Sequence, residues 1–171
     1  MLPQRTLSTF VCIAVLAGCT ASSPAAITDA DRKAFDEIRG VEIAAFSAGD
    51  AEKLIALLTD DAVALPPNEP MIRGKQGMRD FIRRMNEQFK ISGEYTGAEL
   101  VAAAGDVAVE HMTFRLTLQP VGGGAPIVDE GKGVHVYRRQ ADGTWKIALD
   151  AWNSNAAPPT TPPPTAAGKK P

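Results

Sequence analysis

The sequence is poor in the residue types that mark several large functional classes. Among 171 residues there are only two histidines and two cysteines, and aromatic side chains make up 6%. Apart from the terminal Lys169-Lys170 pair, no basic run interrupts the balance of 18 Lys and Arg against 20 Asp and Glu. A nucleic-acid binder normally presents a basic face, so we expect no nucleic-acid partner. Hydrophobic residues make up 44%, which is enough to bury one core and argues against a wholly disordered chain.

Familiar metal, phosphate and nucleophile motifs are also missing. His111 and His135 are 24 residues apart on different predicted strands, a spacing that matches no recognised zinc motif. The Gly122–Gly124 run lacks the helix and the lysine of a phosphate-binding loop. No Gly-x-Ser-x-Gly nucleophile motif is present. We therefore expect no metal and no cofactor.

The N-terminus has the pattern of an export signal. Arg5 precedes an apolar stretch over residues 7–17, which is too short for a permanent membrane span. The stretch ends in Leu16-Ala17-Gly18-Cys19, which resembles the lipobox of bacterial lipoproteins. The resemblance implies that residues 1–18 are a signal peptide and that Cys19 becomes the lipidated first residue. We then expect a membrane-anchored protein in the bacterial cell envelope, facing the periplasm, with Thr20 favouring the outer membrane.

Removal of that signal would leave Cys19 as the one cysteine of the mature chain, because Cys12 would be lost. A lipidated cysteine cannot form an intrachain disulfide or act as a catalytic thiol. Both possibilities are therefore excluded in the mature form that the lipobox implies.

The rest of the chain divides into three parts by composition. Residues 19–27 are small and polar and are predicted to be a tether, and residues 28–155 form the folded domain. Residues 156–171 contain six prolines, at positions 158, 159, 162, 163, 164 and 171. Such a segment cannot hold a core, so we predict an extended, disordered tail.

The folded domain begins with helical periodicity. Thr28 followed by Asp31 predicts a helix N-cap, and residues 34–46 repeat apolar side chains at helical spacing. Asp50 caps a second predicted helix, and Gly74 opens a third. A short strand at 62–65, ended by two prolines, lies between the last two helices.

The second half of the domain has the period of β-strands. The predicted strands cover residues 94–104, 107–118, 127–139 and 144–154, separated by glycine-rich turns. Three helices followed by long antiparallel strands predict an α+β fold. We expect the helices to pack on a curved, mostly antiparallel sheet that forms a cone with one open end.

Several segments in this order resemble one family. Ala44–Asp50, Leu57–Val63 and Ile72–Gly74 look like the SnoaL-like and ketosteroid-isomerase-like group, and the strand pair Tyr137–Asn155 is similar to its uncharacterised bacterial branch. The resemblance covers nearly all of residues 28–155. It implies the nuclear transport factor 2-like fold, a conical α+β barrel with a pocket, often dimeric through the outer sheet face. It implies no single activity, because this fold hosts enzymes and non-enzymatic modules alike.

The steroid isomerase mechanism does not carry over to this chain. That enzyme uses an Asp base together with a tyrosine and a protonated Asp. By motif the base position falls at Pro66, which cannot accept a proton, and the tyrosine position falls at Glu42. We therefore do not expect steroid isomerase activity.

Glu42 is nevertheless the most informative residue of the first helix. At 100° per residue it lies between Ile38 and Phe46, inside the apolar stripe. A carboxylate there is costly unless it is paired or faces a wet cavity. Glu42 is therefore either a general acid, base or ligand anchor, or a structural acid that pairs with a buried group.

The strand at 107–118 separates into two faces by alternation. Its predicted inner face carries Glu110, Met112 and Phe114, with Glu110 at the edge of the pocket. His111 lies on the opposite face, and we interpret it as a surface histidine. The inner-face residues are candidates for the pocket lining.

A third candidate group, His135, Tyr137, Asp150 and Trp152, depends on the Asp142-Gly143 hairpin. A two-residue turn places His135 opposite Asp150, where the two could act as a base and its orienting group. A turn with a glycine bulge shifts the register by one, so that His135 faces Leu149. The residues themselves leave both registers open, along with a structural role for Asp150.

Three functions fit these features. The first is binding of a small apolar or amphipathic molecule in the pocket. The second is a cofactor-free isomerase, dehydratase or hydrolase that uses pocket carboxylates, for which two carboxylates in the pocket or a close His135–Asp150 pair would be the sign. The third is a dimeric interaction module, for which a pocket below about 300 Å³ would be the sign.

Native mass spectrometry of the delipidated protein, purified from its own envelope, tests the binding and oligomer predictions. We expect a retained small molecule and a homodimer. A bare monomer under gentle ionisation would contradict both.

Overall fold

The computed structural model describes residues 26–157, and within this range three helices and six strands form one α+β unit. The predicted signal peptide, the lipidation site Cys19, most of the tether and residues 158–171 of the tail lie outside the described residues. The elements are α1 (Asp29–Ala48), α2 (Ala51–Ala56), β1 (Leu58–Leu65), β2 (Ile72–Arg73), α3 (Gly74–Gln88), β3 (Phe89–Ala104), β4 (Val107–Pro120), β5 (Ile127–Arg139) and β6 (Trp145–Ser154).

One sheet contains all six strands in the order β2-β1-β6-β5-β4-β3. Neighbouring strands are antiparallel except β1 and β6, which are parallel. The helices α1 and α3 contact strands near both ends of the sheet and so enclose the space above it. The predicted α+β class, with N-terminal helices on a mostly antiparallel sheet, is confirmed.

Helix α1 starts and ends where local chemistry predicts. The Thr28 hydroxyl accepts a hydrogen bond from the Asp31 backbone N–H at 3.2 Å, and Asp31 accepts one from the Thr28 backbone N–H at 2.9 Å. This reciprocal capping satisfies donors that the first turn leaves free. Gly49 ends the helix with φ of 67°, a left-handed conformation that glycine adopts without strain.

The buried face of α1 includes an acid among apolar residues. Phe35, Ile38 and Ala45 are buried, and Glu42 lies among them with 6% of its surface exposed. Strand β4 also has the predicted faces, since Ala108, Glu110, Met112 and Phe114 are buried and His111 is exposed. Two carboxyl groups therefore enter the interior, one from the helix layer and one from the sheet.

The β5–β6 hairpin combines features of both predicted registers. Next to the turn, Arg139 pairs with Trp145, the register of a glycine-bulged turn, and Gly143 has φ of 85°. A second bulge then lies at Ala148, between the pairs Tyr137–Ile147 and Val136–Leu149. It restores the other register, so His135 lies opposite Asp150.

A buried acid ties the start of α1 to the hairpin. Asp31 accepts hydrogen bonds from Arg139 Nη1 and from Trp145 Nε1, both at 2.8 Å. The Arg139 guanidinium lies 4.2 Å from the centre of the Trp145 ring. The hydrogen bonds from Arg139, Trp145 and Thr28 hold the pKa of Asp31 well below its ordinary range.

Within residues 26–157, no helix combines the length and the apolar character needed to cross a bilayer.

Replacement Asp31→Asn should lower the free energy of unfolding by about 2–3 kcal/mol, because charged hydrogen bonds to Arg139 and Trp145 are lost. The wild-type protein should also lose this contribution as the pH falls below about 4, since the folded-state pKa of Asp31 is depressed. Urea unfolding at several pH values measures both effects. Asp29→Asn, an exposed change in the same helical turn, is the control. Equal stability of the two variants would contradict this assignment.

Candidate functional site

An apolar pocket lies between the helices and the inner face of the sheet. Its volume is about 280 Å³, and most lining side chains are aliphatic or aromatic, among them Phe46, Met78, Phe81, Met112, Phe114 and Trp152. The polar lining residues are Glu42, Tyr95, Asp129 and Asp150. No lysine, arginine or histidine lines the pocket within the described part of the chain. The pocket therefore suits a small molecule that is neutral over most of its surface.

Three ionisable side chains from three elements converge beside this pocket, and we call them the ionisable cluster. His135 Nε2 on β5 lies 3.4 Å from Asp150 Oδ1 on β6 and 3.8 Å from Glu42 Oε2 on α1. Glu42 and Asp150 line the pocket, whereas His135 is completely buried behind them. His135 Nε2 has no hydrogen-bond partner among the described residues. The cluster thus places an unpartnered nitrogen between two pocket carboxyl groups.

Glu42 has a second contact that orients it. The Tyr95 hydroxyl donates to Glu42 Oε2 at 2.6 Å. Tyr95 is on β3, opposite Phe114 of β4, and it lines the pocket beside Glu42. A tyrosine and a carboxyl group therefore adjoin one another at the polar end of an otherwise apolar hollow.

The cluster residues have shifted pKa values in directions that follow from burial and charge. Burial raises the pKa of Glu42, and the Asp150 charge adds to this shift, while His135 opposes it. Burial alone would lower the pKa of His135, but the neighbouring Glu42 and Asp150 carboxylates outweigh it, and the net direction is upward. Glu42 and His135 therefore keep a proton to higher pH than the same side chains would in water.

A second polar group lies behind His135. The Tyr137 hydroxyl donates to Glu110 Oε1 at 2.9 Å and lies 3.1 Å from His135 Nδ1. The Arg39 guanidinium forms an ion pair with the other oxygen of Glu110. Burial and the Glu110 charge raise the pKa of Tyr137 far above its ordinary value, so it remains a neutral phenol.

The ionisable cluster also has the composition of a metal site. One ligand atom from each of Glu42, His135 and Asp150 lies within 4.8 Å of the others. One imidazole and two carboxylates could hold a divalent ion such as zinc. The expectation that the protein uses no metal therefore remains a prediction, and it requires the chelator test described below.

The structure separates the predicted site residues into two groups. Glu42, Met112, Phe114, Asp150 and Trp152 line the pocket. His135, Tyr137 and Glu110 do not. Glu110 was predicted at the pocket's edge, but it is 3% exposed and bound to Arg39 and Tyr137, because the Arg39 side chain reaches down from α1 and covers it. His111 is exposed and lies 3.4 Å from Glu99.

Two residues of the site, Tyr95 and Arg39, were not predicted from the sequence. Tyr95 is on the strand predicted at 94–104, where a bulge between Tyr95 and Gly97 breaks the alternation by which faces are assigned. Arg39 did carry a signal, because it lies three residues before Glu42 and therefore on the same side of α1. Pro66, the position of the steroid isomerase base, is buried and holds no ionisable group.

Comparison with known proteins agrees with this architecture. Residues 42–148 match the family model of the SnoaL-like domain. No curated protein matches the sequence significantly.

Three solved structures illustrate the structural likeness. A ketosteroid isomerase-like protein from Erwinia carotovora atroseptica SCRI1043 has a TM-score of 0.67 at 20% identity, covering 76% of this chain and 100% of that chain. A conserved protein from Planctomyces limnophilus DSM 3776 has a TM-score of 0.68 at 25% identity, covering 74% and 99%. Hexachlorocyclohexane dehydrochlorinase LinA-type3 from Novosphingobium barchaimii LL02 has a TM-score of 0.67 at 18% identity, covering 74% and 88%. These likenesses confirm the predicted conical, nuclear transport factor 2-like fold.

The raised pKa of His135 can be measured directly, because the chain has only two histidines. We expect NMR titration to give His135 a pKa above about 6.5. Asp150→Asn should lower that pKa, because it removes a neighbouring negative charge. Glu99→Gln, which alters only the contact of exposed His111, is the matched control. A His135 pKa below 6.5 in the wild-type protein would show that burial dominates the carboxylates.

Proposed function

The chain belongs to the SnoaL-like domain family, and we propose that its pocket is a cofactor-free acid–base site for a small, neutral, largely apolar molecule. The observation that carries the proposal is the pair of unequally buried carboxyl groups, Glu42 and Asp150, with His135 Nε2 between them. Two carboxyl groups whose surroundings differ in burial are suited to separate acid and base roles.

The geometry supports different roles for the two carboxyl groups. The Asp150 side chain is 19% exposed and reaches the pocket, so it is suited to accept a proton from a bound substrate. The Glu42 side chain is 8% exposed, and its raised pKa favours the acid form, which can donate a hydrogen bond. Asp150 is therefore the proposed base and Glu42 the proposed acid, with Tyr95 holding Glu42 in place.

The proposed reaction begins with proton removal from a carbon next to a carbonyl group. The C–H proton moves to the Asp150 carboxylate, and the C–H electron pair forms the enolate. The Glu42 acid donates a hydrogen bond to the developing oxyanion. Asp150 passes its proton to neutral His135 Nε2, and return of a proton to the same or another carbon completes an exchange or an isomerisation.

The pocket limits the substrate by size and charge. Its volume of about 280 Å³ is close to the lower end of the range of about 300–1,000 Å³ that is typical of small-molecule sites. A molecule with one or two rings matches this space. The absence of cations from the described lining, together with the acidic cluster, disfavours carboxylate or phosphate substrates.

Non-catalytic binding of a small apolar molecule is the second candidate, and the predominantly apolar lining favours it. The volume is slightly below the limit of about 300 Å³ that would indicate an interaction module. The three ionisable groups beside the open pocket nevertheless favour a ligand site. Burying ionisable groups costs free energy, and an interaction module whose pocket is filled by side chains would gain nothing from that cost.

We further propose that the domain is attached to the bacterial envelope through a lipid on Cys19 and that it forms homodimers. The lipobox-like sequence supports the anchor. Exposed apolar residues of β4 and β5, among them Val107 and Val128, support pairing through the sheet.

Hydrogen–deuterium exchange of a neutral ketone tests the acid–base proposal without knowledge of the natural substrate. Cyclohexanone, 1-indanone and 2-tetralone are incubated with the protein in D2O, and the loss of their α-proton signals is followed by NMR. We expect Asp150→Asn to slow the protein-dependent exchange by about 10²-fold and Glu42→Gln to slow it by at least about tenfold. His111→Gln, a change on the outer face, should leave the rate unchanged.

A chelator arm separates the proposal from metal catalysis. Exchange should be unaffected by EDTA, because neither proposed role needs an ion. Loss of exchange with EDTA and recovery with zinc would assign the cluster to a metal. Ketone binding without exchange faster than in buffer would favour the second candidate.

A further inference from the structure

A chain of three residues connects the back of the ionisable cluster to helix α1, and we call it the Arg39 chain. It consists of Arg39, Glu110 and Tyr137, which come from α1, β4 and β5. None of the three lines the pocket. The Glu110 side chain is 4% exposed, that of Arg39 is 14% exposed, and Tyr137 is completely buried. The Arg39 chain therefore contacts the ionisable cluster through the Tyr137–His135 contact and does not touch a ligand in the pocket.

The direction of its hydrogen bonds follows from counting protons. Glu110 is a carboxylate that faces a guanidinium, so it has no proton to donate to Tyr137. The single hydroxyl proton of Tyr137 must then lie on the 2.9 Å contact with Glu110 Oε1, since two bare oxygens at that distance would repel. The Tyr137 oxygen can therefore only accept at its 3.1 Å contact with His135 Nδ1.

We infer that the Arg39 chain fixes the tautomer of His135: in the neutral ring Nδ1 keeps its proton, and Nε2, which faces Glu42 and Asp150, carries the lone pair. Free neutral histidine in water favours the opposite tautomer, with the proton on Nε2. The protein thus holds the imidazole in its less common form. Arg39, Glu110 and Tyr137 are positioning residues, since none of them touches the pocket.

This inference deepens the proposed function, and its catalytic consequence rests on that function. Nε2 can accept the proton collected by Asp150 only if Nε2 carries a lone pair in the neutral ring. With the other tautomer, the lone pair would be at Nδ1, shielded from the pocket by Tyr137. The tautomer itself is a property of the resting protein and can be measured whether or not the pocket is catalytic.

The test is two-bond 1H–15N NMR of protein labelled with 15N-histidine, at a pH above the His135 titration. We expect the wild-type His135 signals to have the pattern of the Nδ1–H tautomer. Exposed His111 provides a second signal in each spectrum for comparison. An Nε2–H pattern for wild-type His135 would overturn the inference, and this outcome needs no variant.

Glu110→Gln should reverse the direction of the hydrogen bonds in the Arg39 chain. The amide oxygen of the new side chain would face Arg39, so its NH2 group would face and donate to Tyr137. Tyr137 would then donate to Nδ1, and the proton of His135 would move to Nε2. We expect the Nε2–H pattern to predominate, with ketone exchange slowed by about 10²-fold and ketone affinity changed less than twofold.

Tyr137→Phe removes the acceptor at Nδ1 while keeping the ring that stacks on Phe35 at 4.5 Å. It should shift the tautomer in the same direction. Tyr95→Phe, which removes a hydroxyl near the cluster but not at Nδ1, should leave the Nδ1–H pattern in place. An unchanged pattern in folded Glu110→Gln and Tyr137→Phe proteins would overturn the inference. A changed tautomer in a protein without exchange activity would uphold it and count against the proposed function alone.

Discussion

The structure depends on placing a fully buried imidazole between two carboxyl groups at the edge of an apolar hollow. Taking an ionisable group out of water is costly unless charge and hydrogen bonds compensate. His135 receives compensating charge from Glu42 and Asp150, which come from a helix and from the neighbouring strand, and its hydrogen-bond contact is with Tyr137. Because the three side chains share no element, the site exists only when α1, β5 and β6 are correctly docked.

A second polar layer surrounds the first. Arg39 and Glu110 form a partly buried ion pair behind His135, and Tyr137 joins the two layers through hydrogen bonds. Replacing such a pair with apolar residues often preserves stability, so stability alone does not account for it. Its contribution here is orientation, because a carboxylate held by a guanidinium determines which way the Tyr137 proton points. The apolar pocket in front limits water and strengthens these interactions.

Much of the fold could be predicted from short-range patterns. The α1 stripe, the capping pair Thr28–Asp31 and the alternating faces of β4 are each encoded within a few residues. The full length of β3 and the parallel pairing of β1 with β6 were harder to predict from the sequence, since both depend on contacts between distant segments. The hairpin shows the limit most clearly: the turn itself takes the glycine-bulged register, but a bulge at Ala148 reverses its effect before His135.

The α+β class, the buried position of Glu42 and the inward face of β4 follow from the amino-acid sequence alone, because helical and strand periodicities are local properties of the chain. The sequence also supplied the residues of the site, since Glu42, His135 and Asp150 were all candidates. The packing of α1 on the sheet brings these three residues together, adds Tyr95 and Arg39 to them, and places Glu110 in the second layer rather than in the pocket. These contacts depend on how α1 docks on the sheet and on the bulge at Ala148 in β6, and no local sequence pattern encodes either feature.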